Sequence, residues 1–336
     1  MHFFARLMTV FIVATTFCDA SAAQSRRTQS APPAPSEQQM REQVNAGTVG
    51  LAGGLLEGAP IRFATEIARV VNESNQVHVL PIVTRGPTEN VNDLLYLKGV
   101  DLAIINTDSL EEYKMQVPQI QQRIVSIVNL FPSDLHIFVR PEIQSLADLA
   151  GKKVNFNTLG TAAAYSGPLI FSRLGIAVDK MFVPHPVAME QLRRGEIAAV
   201  VFITSKPVDA FVKGKWDAGF KFLSVEFGPK FSDYYVASSL ESADYPNLIA
   251  KGERVATIAV PTVLASYNWR PESPRYRRVE RFVEEFFSRI DKLKSSGFDP
   301  KWKEIDVKTG VPGIERSRAA QNWIDRANPV RHSGKL

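Results

Sequence analysis

The chain has 336 residues, 45% of them hydrophobic, and a formal net charge of +5 at pH 7. A positive charge this small, with no dense basic run, argues against a nucleic-acid-binding protein and slightly favours anionic small ligands through long-range steering. The single cysteine, Cys18, lies inside a predicted signal peptide. The mature chain is therefore expected to carry no thiol, which excludes disulfides, thiolate nucleophiles and cysteine metal sites.

Residues 1–23 have the pattern of a secretory signal peptide. Arg6 supplies a positive charge, Leu7–Phe17 forms an apolar core, and the small residues at 20–22 form a cleavage site. The core is shorter than the about 20 apolar residues that span a bilayer, so an uncleaved anchor is the weaker alternative. The polar, proline-rich segment that follows predicts a flexible leader over 24–45.

From about residue 46 to 325 the chain alternates short apolar runs with amphipathic helix patterns. This alternation is typical of an α/β fold with mostly parallel sheets. Pro60 suits the first turn of a helix. The first predicted elements are a strand at 47–53, a loop at 54–58, a helix from Pro60, a strand at 77–83, a helix at 89–98 and a strand at 100–106.

The segment 124–156 is predicted to connect two lobes. It contains two strand-like stretches, then Pro141, which marks the exit from the first lobe, and a short helix at about 145–150. A return crossover is expected near 229–262. A helix at about 274–294 presents an apolar face that is expected to pack in the core rather than against a partner. That face consists of Val279, Phe282, Val283, Phe286 and Ile290.

Two segments of the chain are similar to each other in sequence. YLKGVDLAIINTDS (96–109) aligns without gaps with LRRGEIAAVVFITS (192–205). In each, a helix is predicted to stop at a glycine, a buried strand follows, and small polar residues arrive at the carboxyl end of the strand. Duplication and convergence both explain the match. Either way it predicts two similar α/β lobes, with ligand-binding strand ends that face each other across a cleft.

The stretch VNFNTLGTAA (154–163) is the strand-turn-helix segment that most strongly suggests a ligand site. A helix that starts near Thr161 leaves its first amide protons unpaired, and these suit a carboxylate. Gly160 allows a ligand to approach the backbone, and Asn157 and Thr158 would reach the rest of the solute. The alternative is an ordinary capped helix that holds no ligand.

The ordered segments VGLAGGLLEG, ENVNDLLYLKGVDLAIINTDS, LFPSDLHIFVR, SLADLAGKKVNF, LGTAAAYSG and LRRGEIAAVVFI resemble the extracytoplasmic solute receptors of TRAP transporters, specifically the TAXI family. The resemblance covers about 46 to 260. It implies a periplasmic receptor that closes on a small carboxylate-bearing solute and delivers it to membrane subunits driven by an ion gradient.

The fold class that follows is α/β, with two Rossmann-like lobes of mixed, mostly parallel sheets joined by a two-segment hinge, as in type II-like periplasmic binding proteins. Lobe 1 is expected at 46–138 plus about 255–325, and lobe 2 at 139–254. One departure from the family is Pro168, where an uninterrupted helix is usual. Either the helix begins at Thr161 and kinks, or a single turn precedes a helix capped by Gly167.

The expected site combines backbone amides with polar side chains at strand ends. Arg85 either forms a bidentate pair with a solute carboxylate or lies solvated in a loop. Asp108 either engages a solute ammonium group or caps a helix. The expected ligand-binding residues are Gly53, Gly54, Leu55, Arg85, Asn90, Asn106, Thr107, Asp108, Asn157, Thr158, Gly160, Thr161, Ala162, Thr204 and Lys206.

The expected solute is anionic or zwitterionic, an amino acid or a dicarboxylate. We expect a monomer that docks transiently on TRAP membrane subunits and uses no nucleic acid, cofactor or metal. One alternative is a periplasmic sensor for a signalling partner. A weaker alternative is an enzyme on the same bilobal fold, because the sequence has no Gly-x-Ser-x-Gly elbow and its histidines lack metal-ligand spacing.

Overall fold

The computed structural model describes residues 35–56 and 58–327. The predicted signal peptide at 1–23 lies outside the described residues, as does the leader up to residue 34. The rest of the leader is not irregular, because helix α1 spans Glu37–Gly47. A capping box between Ser36 and Gln39 stabilises its first turn, and this local signal outweighs the polar composition from which a flexible segment was predicted.

Ten strands form one sheet. Its path runs β2-β1-β3-β10-β4-β7-β5-β6, with β8 paired to β4 and β9 paired to β10. The strands are β1 (Thr48–Ala52), β2 (His78–Ile82), β3 (Leu102–Asn106), β4 (Ile124–Val139), β5 (Lys153–Asn155), β6 (Asp179–Met181), β7 (Ala199–Thr204), β8 (Lys221–Phe222), β9 (Val236–Glu241) and β10 (Arg254–Tyr267).

The helices cover the sheet, and among the described residues none is long and apolar enough to cross a membrane. The α-helices after α1 are α2 (Ala59–Val71), α3 (Pro87–Tyr96), α4 (Ile120–Arg123), α5 (Ala162–Leu174), α6 (His185–Arg194), α7 (Asp209–Val212), α8 (Pro274–Phe287), α9 (Ile290–Leu293) and α10 (Arg318–Ala327). The 3₁₀ helices are Asn72–Ser74, Thr107–Tyr113, Leu146–Leu149, Pro229–Phe231 and Pro300–Glu304.

The sheet divides into two halves, and the predicted fold class is confirmed. In the first half β2, β1 and β3 are parallel, and in the second half β6, β5 and β7 are parallel. The long strands β4 and β10 pair antiparallel with each other and run through both halves. They form the two connections between the lobes.

The crossing point lies earlier in β4 than the sequence suggested. The two stretches predicted in this segment are one continuous strand, in which Pro132 faces Pro261 of β10. Strand β4 pairs with β10 up to Asp134, and from Asp134 to Val139 it pairs with β7 of the second half. The chain therefore changes lobes near residues 132–134, well before Pro141.

Each half has its own core. In the first half the α2 and α8 helices pack together, with Phe63 at ring-centroid distances of 4.7 Å from Phe131 and 4.6 Å from Trp302. The predicted C-terminal helix is divided between α8 and α9, and its five predicted apolar residues are all buried, as expected. In the second half the larger cluster surrounds Phe156 and Phe171, whose rings meet edge to face.

The two similar segments, 96–109 and 192–205, have similar but not identical structures. Helix α6 ends as predicted, with Gly195 in the left-handed conformation as its cap. Helix α3 instead ends at Tyr96, and Gly99 belongs to the turn before β3. In both segments the strand that follows ends at the boundary between the halves, at Asn106 and Thr204.

Candidate functional site

A cleft of about 780 Å³ lies between the two halves. Its lining comes from the first turn of α2 and α3 in the first half, and of α5, α6 and α7 in the second. The carboxyl ends of β3 and β7 reach it from opposite sides. This is the position that parallel α/β sheets use for ligands. The cleft is thus built by the general geometry of the fold.

The start of α5 presents unpaired backbone donors. Thr161 is the N-cap, and its hydroxyl oxygen accepts from the amide of Ala164 at 3.3 Å and donates to the carbonyl of Thr158 at 2.8 Å. Among the described residues no group accepts from the amides of Ala162 and Ala163. Both residues line the cleft, so their amide protons and the positive end of the helix dipole are available to an anion.

Helix α5 is continuous through Pro168, so the alternative with Gly167 as N-cap is wrong. Gly167 has a packing role instead. A Cβ at this position would come closer than 3.0 Å to the ring of Phe156, which belongs to the core of the second half. The missing side chain therefore lets α5 lie against the sheet, which fixes where its first turn points.

The other long helices at the cleft have fewer donors in their first turns. Proline occupies Pro60 in α2, Pro87 in α3 and Pro186 in α6, and proline has no amide proton. Of the four, α5 alone has no proline in its first turn. Its N-terminus is therefore the best hydrogen-bond donor for an anion among these helix starts.

A hydrogen-bonded group of side chains forms the part of the cleft next to the crossing strands. Asn106 Nδ2 donates to Thr262 Oγ1 at 3.2 Å, and Thr262 Oγ1 lies 2.7 Å from Ser133 Oγ. Asn106 and Ser133 both line the cleft and are each only 5% exposed. Asn106 Oδ1 has no hydrogen-bond partner among the described residues and is not sealed from the solvent of the cleft.

The second half contributes an aromatic wall. The rings of His185 and Phe202 are stacked, with centroids 3.4 Å apart and an interplanar angle of 12°. Burial lowers the pKa of His185 to about 4, so the ring is neutral at pH 7. Its Nε2 lies 3.0 Å from the carbonyl oxygen of Val201, and a neutral ring therefore donates from Nε2 and leaves Nδ1 without a proton.

The charged side chains of the lining are already paired. Arg62 donates through Nε and Nη2 to Asp299 at 3.0 and 2.6 Å, and Arg85 Nε lies 3.3 Å from Glu89. Both arginines belong to the first half. In the second half Asp209 is the one formally charged residue of the described lining.

The two halves touch at the edge of the cleft, so the structure shows a closed arrangement. Gly86 has φ +139° and packs against the carbonyl group of Gly160, which has φ +92°. A Cβ on Gly86 would lie closer than 3.0 Å to the Gly160 oxygen, and a Cβ on Gly160 would lie 2.8 Å from Cβ of Arg85. Both glycines therefore permit the close approach of the halves.

The structure brings most of the predicted site residues to this cleft. Gly160 lies at its edge, and Gly53 lies just outside the lining, where its amide donates to the carbonyl of Ile82. The predicted residues in the lining are Gly54, Leu55, Arg85, Asn106, Asn157, Thr158, Thr161, Ala162 and Thr204.

Four predicted residues lie elsewhere and have other partners. Asn90 is fully buried and donates to the carbonyls of Gly53 and Ile104, so it links the end of β1 to β3. Lys206 pairs with Asp244 at 3.2 Å and donates to the Ser239 carbonyl. These contacts direct both side chains away from a ligand. The other two are Thr107 and Asp108.

Thr107 and Asp108 join the halves to each other instead of binding a solute. Thr107 donates to the carbonyl of Tyr234 at 3.2 Å, and Asp108 accepts from the hydroxyl of Tyr235 at 2.8 Å. Both are fully buried in the 3₁₀ helix after β3. Burial raises the pKa of Asp108 to about 6. The expectation that Asp108 engages a solute ammonium group is therefore corrected.

Sequence reasoning missed Arg62, Ser133, His185 and Phe202 in the lining. His185 lies between Pro184, the N-cap of α6, and Pro186 in its first turn, and proline at these positions is a helix-start signal. Phe202 has the pattern of an ordinary core residue of a strand. Among the described residues no group of His, Cys, Asp and Glu side chains is arranged to hold a metal ion.

Comparisons with known proteins give one family match and several similar solved structures. The model of the NMT1-like family matches residues 61–306. A comparison with curated proteins finds no match. Among solved structures, the chain is similar to the periplasmic binding protein BugD, with 12% identity and a TM-score of 0.48 over 83% of this chain and 93% of that chain.

Two further solved structures show a similar level of likeness. PhnD1 from Prochlorococcus marinus, in complex with methylphosphonate, is 14% identical with a TM-score of 0.47, over 84% of this chain and 98% of that chain. The methionine binding protein MetQ is 13% identical with a TM-score of 0.41, over 77% and 93%. Likeness at this level gives no residue of this chain a role.

Proposed function

The chain belongs to the NMT1-like family, and on that premise we propose that it is an exported receptor that captures a small carboxylate-bearing solute in the cleft between its halves. One observation carries the proposal. The first turn of α5 presents two unpartnered amides, of Ala162 and Ala163, to a cleft of about 780 Å³. Backbone amides at a helix start are a general anion-binding device.

Binding and closure are coupled in this proposal. A solute that touches both halves stabilises the closed arrangement, because only there does it gain both sets of contacts. The crossings of β4 and β10 act as the hinge, and we place the lobe boundaries near 132–134 and 259–261, where pairing passes from one half to the other. The proposal includes no chemical step on the solute.

The finer assignment is a receptor of the TAXI type that delivers its solute to TRAP membrane subunits from the periplasm. It is supported by the ordered sequence segments between about 46 and 260 and by the signal-peptide pattern at 1–23. A strain that lacks this protein should then lose uptake of the bound solute. Intact uptake with altered gene expression would favour a sensor instead.

The binding claim is tested by removing one amide proton without removing the helix. Ala162 is the first residue of α5, where proline is well tolerated, and Thr161 before it has ψ 160°, which is compatible with a following proline. Ala162→Pro should therefore fold normally and lose one hydrogen bond to the anion. Since such a bond to a charged group contributes about 1.5–3 kcal/mol, carboxylate affinity should fall roughly 10- to 150-fold by calorimetry.

A matched control is Glu37→Pro in α1. It makes the same kind of change at the first position of a helix whose N-cap, Ser36, has ψ 158°, but α1 does not line the cleft. The control should bind carboxylates like the wild type. Equal affinity of Ala162→Pro and the wild type would contradict the proposed anion site.

A further inference from the structure

The cleft is larger than a small diacid or amino acid needs. Its volume of about 780 Å³ lies in the upper part of the range of roughly 300–1,000 Å³ that holds drug-sized ligands. A four- or five-carbon diacid would leave much of that space to water. The volume therefore accommodates a solute with a body beyond its anionic group, and the choice between solutes of similar size rests on the chemistry of the lining.

The wall of the second half is suited to a flat, apolar body. Both rings line the cavity, but Phe202 is almost fully buried, because it stacks with His185 and contacts Phe211 edge to face at 4.9 Å. His185 therefore offers more of the wall to a solute, and Phe202 supports it from beneath. Around them the lining is apolar and rigid, and includes Pro186, Ile203 and Val208. Aromatic rings gain from offset or edge contacts with other aromatic rings beyond the area that they bury.

The distribution of charge argues against a second carboxylate at this wall. The arginines of the described lining, Arg62 and Arg85, lie in the first half and are already paired with carboxylates. On the second half Asp209 carries the one formal charge of the described lining, and it is negative. A second negative group placed beside His185 and Phe202 would meet no free cation of the described lining, and Asp209 is itself paired with Lys213 at 2.7 Å.

One polar atom without a protein partner in the described part of the chain also lies at the cleft. Asn106 is 5% exposed and lines the cleft, and its Oδ1 has no partner among the described residues, while its Nδ2 is held by Thr262. Asn106 Oδ1 is not sealed from solvent, so it can accept a hydrogen bond from a donor on the ligand. A hydroxyl substituent on the body of the solute would satisfy it.

These observations lead to a single assignment, which rests on the proposed function of this same cleft. We propose that the solute is an aromatic monocarboxylate, whose carboxylate binds the amides of α5 and whose ring lies against the wall formed by His185 and Phe202. The amino acids and dicarboxylates expected from the sequence are then weak ligands.

The test is a calorimetric panel on the purified protein with benzoate, 4-hydroxybenzoate, cyclohexanecarboxylate, glutamate and malate. Benzoate and 4-hydroxybenzoate should bind at least tenfold more tightly than the other three. Cyclohexanecarboxylate has a similar size and charge but no flat ring, so equal affinity for it and benzoate would overturn the assignment. Tighter binding of glutamate or malate would overturn it too, but would leave the proposed carboxylate receptor standing.

A variant pair localises the ring. Phe202→Leu keeps an apolar side chain of similar size and removes the aromatic face, and it should weaken benzoate binding at least fivefold. Phe182→Ala changes a more exposed phenylalanine of the same half that lies outside the lining, and it should have no effect. Thermal unfolding checks that both variants fold.

The outcomes separate the two proposals. Binding of benzoate that Phe202→Leu leaves unchanged would overturn the aromatic wall. Failure of every carboxylate in the panel to bind at millimolar concentration would contradict both the assignment and the proposed receptor. Tight benzoate binding that is lost in Phe202→Leu supports both.

Discussion

Replacing Gly86 by alanine tests whether the contact between the halves belongs to the solute-bound state. Gly86 lies against the carbonyl of Gly160 across the edge of the cleft, and a Cβ there would be closer than 3.0 Å to that oxygen. To reach ordinary van der Waals contact at 3.4 Å, the two loops must separate by about 1 Å. The substitution therefore opposes closure directly.

The size of the effect follows from two contributions. Overpacking against a fixed backbone costs about 1–3 kcal/mol, and this cost arises only when the halves are closed. The strain of alanine at φ +139° costs a similar amount but is present in open and closed states alike. Only the first contribution weakens solute binding, so the affinity for benzoate should fall roughly 5- to 150-fold.

The assay is calorimetry on Gly86→Ala together with Gly99→Ala as the matched control. Gly99 has φ +93°, and a Cβ at this position would have no neighbour within 4 Å, so the substitution adds backbone strain without a clash between the halves. The control should lose stability and keep its affinity. Wild-type affinity in Gly86→Ala, or an equal loss of affinity in both variants, would refute the reasoning.

Three further predictions concern stability. Burial raises the pKa of Asp108 from 3.8 to about 6, so the stability that its neutral form provides is present below pH 3.8 and is lost as pH rises through 6. The free energy of unfolding of Asp108→Asn, measured in urea, should therefore rise relative to that of the wild type by on the order of 3 kcal/mol between pH 4 and 7. A difference that does not change with pH would contradict this. Gly167→Ala forces a Cβ into the ring of Phe156 and should cost about 1–3 kcal/mol in the same assay, whereas an unchanged midpoint would show that α5 can shift. Tyr245→Phe leaves the amide of Val208 without its 3.0 Å acceptor and His136 Nε2 without its 2.7 Å partner, so it should cost about 1–3 kcal/mol, and an unchanged midpoint would contradict this.

The fold class could be predicted from the sequence because the local strand and helix patterns agree with the elements that the structure contains. The apolar strand of residues 102–106 and the proline at position 60 predict elements that the structure contains. The two strand-like stretches predicted in the segment 124–156 are one strand, β4, which continues through Pro132 opposite Pro261. The continuity of β4 depends on its pairing with β10, a strand that is distant in sequence, and no local sequence pattern shows that pairing.

The site was predictable only where backbone geometry forms it. The helix start at Thr161 follows from the strand-turn-helix pattern, and the structure places it at the cleft. Which polar residue after β3 faces the cleft depends on the turn that follows the strand. The chain enters a 3₁₀ helix at Thr107, which leaves Asn106 in the lining and buries Asp108 against Tyr235. Phe202 gave no signal, because a core residue and a wall residue have the same sequence pattern.

The central claim is that an anion binds in the closed cleft at the first turn of α5. A crystal structure of the protein grown with benzoate tests it most directly. The account predicts a carboxylate oxygen about 2.7–3.1 Å from the amide nitrogens of Ala162 and Ala163, with the ring beside His185 and Phe202. Benzoate bound outside the cleft, or inside it with the carboxylate turned away from both amides, would contradict the account.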